Sequence, residues 1–96
     1  MTIQFSIQVK YDFKYRRFLV THIPINQLEE HYEVKAVNKS IVLSCNRPLF
    51  RAKNLKKRQP DLKLIKGALS YQSFLAEIQT EILKWIKDAE EKELLK

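Results

Sequence analysis

The 22 residues from Asn46 to Gly67, NRPLFRAKNLKKRQPDLKLIKG, carry eight cationic side chains (Arg47, Arg51, Lys53, Lys56, Lys57, Arg58, Lys63 and Lys66) against one acid, Asp61. The formal net charge of the chain is +7, and this segment accounts for all of it, because the other 74 residues hold ten basic and ten acidic side chains. Clustered cations attract nucleic acid by releasing condensed counterions, which requires charge but no particular fold. Arginines at 47, 51 and 58 can fork onto phosphates or stack on bases, while the lysines act as mobile point charges. Arg16 and Arg17 extend this patch if the turn that holds them lies nearby. The expectation is phosphate-dominated binding of DNA or RNA without catalysis. The alternative is an interaction module whose basic segment docks an acidic protein, with Leu49, Phe50 and Leu55 pinning a solvated connection to the core.

Aromatic residues at 11, 13 and 15 in KYDFKY alternate with Lys10 and Lys14 and precede the Arg16-Arg17 pair. RNA-recognition-motif sheets stack bases on aromatics flanked by basic residues, but their signature includes glycines, and none stands here. The same odd-numbered face carries Ile3, Phe5, Ile7 and Val9, so it is expected to be core throughout.

Other chemistries find little support. His22 and His31 lie nine residues apart with Cys45 the single thiol, which falls short of the four closely paired ligands of a structural zinc site. No metal or cofactor is expected. Cys45 reads as a small buried hydrophobe and not as an activated nucleophile. Glu29, Glu30 and Glu33 read as a solvated acidic turn. Small ribonucleases can work with Arg, Lys and Tyr alone, yet no acid–base pair stands out here, and the chain is expected not to be an enzyme. One glycine, Gly67, excludes glycine-rich phosphate loops.

These residues must be positioned by a small fold. Residues 3 to 15 alternate apolar and polar with a period of two, which predicts a half-buried strand. That run is long for one strand, so a bend, bulge or turn is expected between Tyr11 and Arg17. FLVTHI, residues 18–23, reads as the next strand, stopped by Pro24. Asn26 three residues before Glu29 has capping-box spacing and predicts a short helical turn. Residues 32–37 and 40–45 flank Asn38-Lys39 as a hairpin. After the basic connection from Arg47 to Gln59, LKLIK at 62–66 predicts a short strand with Leu62 and Leu64 on one side.

From about 70 to 93, Tyr71, Phe74, Leu75, Ile78, Ile82, Trp85, Ile86 and Ala89 recur at three- and four-residue spacing, forming an apolar stripe about 120° wide on a helix. Such a helix is roughly 36 Å long, more than one sheet requires, so its last turns project or fray unless Leu94 and Leu95 find a partner. Trp85, Leu94 and Leu95 are the residues through which a homodimer could form. The architecture implied for residues 1–96 is one α+β domain: an antiparallel sheet of four to five strands over about 1–67, then a long amphipathic helix over about 70–93 on one face. No apolar run reaches the roughly 20 residues that cross a bilayer, and MTIQFSIQVKYD lacks the pattern of a signal peptide. With one cysteine and no internal disulfide possible, the expected setting is cytoplasmic.

Overall fold

In a computed structural model that describes residues 3–11, 13–35, 39–53, 59–67 and 72–95, with the side chains at 11, 72 and 73 left aside, the chain folds as an open antiparallel sheet covered on one face by a helix. Five strands, β1 (Ile3–Tyr11), β2 (Lys14–Pro24), β3 (Glu30–Lys35), β4 (Ser40–Cys45) and β5 (Leu62–Lys66), pair in sequence order. A short helix, α1 (Arg47–Ala52), joins β4 to β5, and α2 (Gln72–Glu91) follows the sheet. The α+β architecture inferred from periodicity is therefore the observed one.

Register decides which residues face the helix. The pairs Phe5↔Val20, Val20↔Val34 and Val34↔Ile41 put one apolar row across four strands, Ile7↔Phe18 lies beside it, and another row runs through His22, Tyr32 and Leu43. From above, α2 lays Ile78, Ile82, Ile86 and Ala89 onto these rows, each at most 1% exposed. Their spacing of four, four and three residues is what keeps one helical face turned to the sheet. Trp85 stacks on Phe5 with ring centroids 3.7 Å apart and planes 4° from parallel. Phe74 meets Phe18 nearer the start of the helix.

The β1–β2 turn overturns one expectation. Tyr11 pairs with Lys14, so odd-numbered residues of β1 share a face with even-numbered residues of β2. Tyr15 thus lies beside Lys10 on the uncovered face and is 71% exposed; Phe13 is 92% exposed in the turn itself. Among the described side chains the odd-numbered face is core as far as Val9.

Asn26 also behaves differently from the helical turn read from its spacing. Its Oδ1 accepts hydrogen bonds from the backbone N–H groups of Leu28 and Glu29, and the chain then enters β3 directly. The same side-chain bonding that opens a helix here makes an Asx turn, because β3 captures the backbone from Glu30 onward.

The end of α2 neither projects nor frays. Glu93 adopts a left-handed φ of 59°, Leu94 N–H bonds the carbonyl of Ala89, and Glu93 N–H bonds that of Glu90. These are the two hydrogen bonds of a Schellman stop. The chain folds back and buries Leu95 to 3% exposure, while Leu94 stays 55% exposed. Of the three residues proposed for a second interface, Trp85 and Leu95 are packed into the core cluster and its margin.

Gly67 closes β5 with φ 87°, and a Cβ there would lie 2.7 Å from the Ser40 carbonyl oxygen and 2.9 Å from Ile41 Cγ2. Gly67→Ala is expected to cost about 2 kcal/mol or more, since the left-handed conformation alone costs an L-residue about 1–2 kcal/mol. Urea denaturation would read this as a lower midpoint with an unchanged slope.

Candidate nucleic-acid interface

The basic segment separates into two populations. Arg47, at the first turn of α1, is 4% exposed. Its Nε and Nη2 donate to the two carboxylate oxygens of Glu30, each at 2.7 Å, which is a bidentate fork. Two further donors converge on that carboxylate: His22 Nε2 and Tyr32 Oη, both at 2.7 Å. Glu30, read from sequence as part of a solvated acidic turn, is 1% exposed. Its phase explains this, because it lies two residues before Tyr32 and four before Val34 on the covered face of β3. Burial pushes the Glu30 carboxyl up, but the hydrogen bonds from Arg47 and His22 outweigh it and hold the group at about 2. The same ion pair raises the pKa of Arg47 against the opposing effect of burial. Burial, with Glu30 beside it, raises that of Tyr32.

Because an ionised Glu30 only accepts, His22 donates to it through Nε2, and Nδ1 is buried with no partner among the described residues. Cys45 is fully buried, and burial pushes its thiol up to about 12, as befits an inert core residue. On the open face, Glu29 accepts from Ser44 and His31, and these bonds lower its pKa. No group of three or more potential metal ligands occurs among the described residues.

Arg51 serves the fold as well. Its Nη1 donates to the Leu95 carbonyl at 2.7 Å and lies 3.6 Å from Glu90 Oε2, clamping the returning tail over α1. A cleft of about 680 Å³ opens above this cluster, walled by Ile3, Pro24, Pro48, Arg51 and Leu94. Glu30 and Arg47 also line it.

The other described cations are exposed. Arg17 on β2 and Lys63 and Lys66 on β5, with two strands between them, share the uncovered sheet face: Arg17 pairs with Gln8, Lys63 with Ser44 and Lys66 with Val42, all outward-facing positions. The same face carries Lys10 and Lys35, which sequence reasoning did not select. Their signal was present, since both occupy the wet phase of a strand, but assigning them to a common face requires the register. Lys35 lies 3.3 Å from Glu33; no ion pair among the described residues engages Lys10, Arg17, Lys63 or Lys66. Arg16 is exposed but belongs to the opposite phase, across from Val9. Lys53, just past α1, is exposed. Lys56, Lys57 and Arg58 lie outside the described residues.

Along β2 the open face reads Tyr15, Arg17, Leu19, with Lys10 beside Tyr15 and Lys35 beside Leu19. Neighbours along that line are about 7 Å apart and those across strands about 5 Å. The result is a patch in which an aromatic ring, an aliphatic side chain and three cations are within reach of one extended ligand. No described helix is long and apolar enough to cross a membrane. Comparison with known protein families, curated proteins and solved structures finds no match to this chain.

Replacing Arg47 with Ala leaves an ionised Glu30 buried without its main partner. The expected destabilisation is about 3–5 kcal/mol, and a double-mutant cycle with Glu30→Gln should show strong coupling. Since the folded-state pKa of Glu30 lies below the usual value of 4.5, its contribution is complete above pH 4.5 and is lost as pH falls through about 2. On the order of 3 kcal/mol should disappear over that window in denaturation series, and the loss should be absent from Glu30→Gln.

Proposed function

We propose that the chain is a non-catalytic nucleic-acid-binding domain that receives its ligand on the uncovered face of the sheet. What supports this reading is the concentration of exposed cations on that face: Lys10, Arg17, Lys35, Lys63 and Lys66 come from four of the five strands, against Glu29 and Glu33. A one-sided cationic surface raises the local potential and steers a polyanion onto it. The cations project from rigid backbone, so little ordering is needed before contact. Arg47 and Arg51 do not belong to this interface, because their guanidinium groups are held by Glu30, Glu90 and the Leu95 carbonyl.

Phosphate contacts of this kind carry little sequence information, so binding should be nearly indifferent to base order. With five cations engaged, log K against log salt should fall with a slope of about −4.5 for a duplex or about −3.5 for a single strand. Arg17→Glu with Lys35→Glu, and separately Lys63→Glu with Lys66→Glu, should each weaken binding at least about tenfold and flatten the slope by about 2, with thermal stability unchanged. Fluorescence anisotropy with labelled oligonucleotides at 50 and 200 mM salt reads both quantities. Absence of binding by the unaltered protein at 50 mM salt, or recovery of a nuclease-resistant stoichiometric complex with an acidic protein, would overturn the reading.

A further inference from the structure

Phe13 is held under two independent penalties. It occupies the left-handed region at φ 60°, where glycine or asparagine is the usual residue of a two-residue hairpin, and it leaves 92% of its surface in water. A bulky aromatic in this conformation is a rare outlier, and neither packing nor hydrogen bonding in the fold accounts for it, since no ring contact or hydrogen bond among the described residues involves Phe13. Two residues on, Tyr15 is 71% exposed with its ring on the uncovered face. Around these rings stand Lys10, Lys14 and Arg17. Exposed aromatics set in a cationic surface bind unpaired bases, because every base has a π-face to stack and every nucleotide carries a phosphate.

We infer that the β1–β2 hairpin is a base-stacking platform, with Phe13 and Tyr15 as its two rings, and that the ligand of the open face is therefore single-stranded nucleic acid. The inference rests on the nucleic-acid reading above and goes beyond it in choosing the strand state. A duplex offers its phosphates to Arg17 and Lys35 but keeps its base faces covered, so the two rings would gain nothing from it. A single strand can present successive bases to the two rings while its backbone follows the cations along β2 and across to β5. Insertion of the tip into an anionic membrane would also bury Phe13. That geometry leaves Lys63 and Lys66, at the opposite edge of the sheet, without a role, and so the single strand is favoured.

The test compares a mixed-sequence 20-nucleotide single strand, the same sequence as a duplex, and an abasic strand of equal length, all at 50 mM salt. Variants are Phe13→Gly, Tyr15→Ala and the pair. Phe13→Gly suits the backbone of the turn, so its thermal stability should equal or exceed that of the unaltered chain. The single strand should bind at least about tenfold more tightly than the duplex or the abasic strand. Each ring substitution should weaken single-strand binding by roughly tenfold and leave duplex binding within about twofold. Equal affinity for duplex and single strand, or ring variants that match the unaltered protein while the Arg17→Glu/Lys35→Glu variant loses binding, would overturn the stacking platform and leave the nucleic-acid reading standing. No binding to any of the three probes would overturn both. Phe13-dependent binding to phosphatidylserine vesicles, with no preference for single strands, would reassign the tip to membranes.

Discussion

Glu30 and Arg47 form the contact on which the arrangement of the chain turns. A carboxylate buried to 1% exposure is tolerable only if its charge is fully answered, and here four donors from β2, β3 and α1 answer it. Such a pair adds little net stability over a well-packed apolar substitute, since the cost of taking both ions from water nearly offsets their attraction. Its contribution is geometric. The planar fork of Arg47 can meet both oxygens of Glu30 in only one orientation, so the start of α1 is fixed against the first residue of β3. Glu90 then approaches Arg47 at 3.4 Å and Arg51 at 3.6 Å, tying the last turn of α2 to the same point.

The consequences spread outward from there. With α1 fixed, Arg51 reaches the carbonyl of Leu95, and the tail that leaves the Schellman stop is folded back instead of extended. At the α1 entry, Asn46 uses its side chain to accept from Asp61 N–H at 2.8 Å, which ties the beginning of the basic connection to its end. The connection is consequently anchored at both sides, and two of its six cations, Arg47 and Arg51, are consumed in the anchoring. Charge counted along the sequence overstates what is offered to a ligand by that amount.

Much of this arrangement is written in hydrophobic periodicity. The alternation from Ile3, the apolar stripe from Phe74 to Ala89, and Gly67 as a boundary all mark elements that local physics alone specifies. Two features were harder to read. The pairing of Tyr11 with Lys14 moves Tyr15 from the buried to the wet phase, and KYDFKY, without a glycine, gives no ordinary turn signal to announce it. Glu30 and Arg47 follow the buried phase of their elements while having the composition of surface residues. The phase of Glu30 with Tyr32 and Val34 could have placed it inward, but its partner is 17 residues away and becomes apparent only once β3, β4 and α1 are assembled. The open-face cations were legible singly as wet positions, whereas their gathering on one surface is a property of register.

A sheet covered by one helix has an asymmetry that the charge distribution follows. The covered face settles its cation, Arg47, by pairing it, because an unpaired guanidinium there would cost several kcal/mol. The open face imposes no such requirement: a lysine at position 10, 35, 63 or 66 remains hydrated whether or not it is paired, so stability neither demands nor forbids it. Stability also gives no reason for an aromatic ring in the left-handed turn at 13, where glycine would fit with less strain. Residues that folding leaves free to vary, yet that share a surface and a chemistry suited to polyphosphates and bases, are the ones through which a ligand's requirements can act. The division of the basic segment between core and surface therefore separates the part of the charge that builds the fold from the part available to bind.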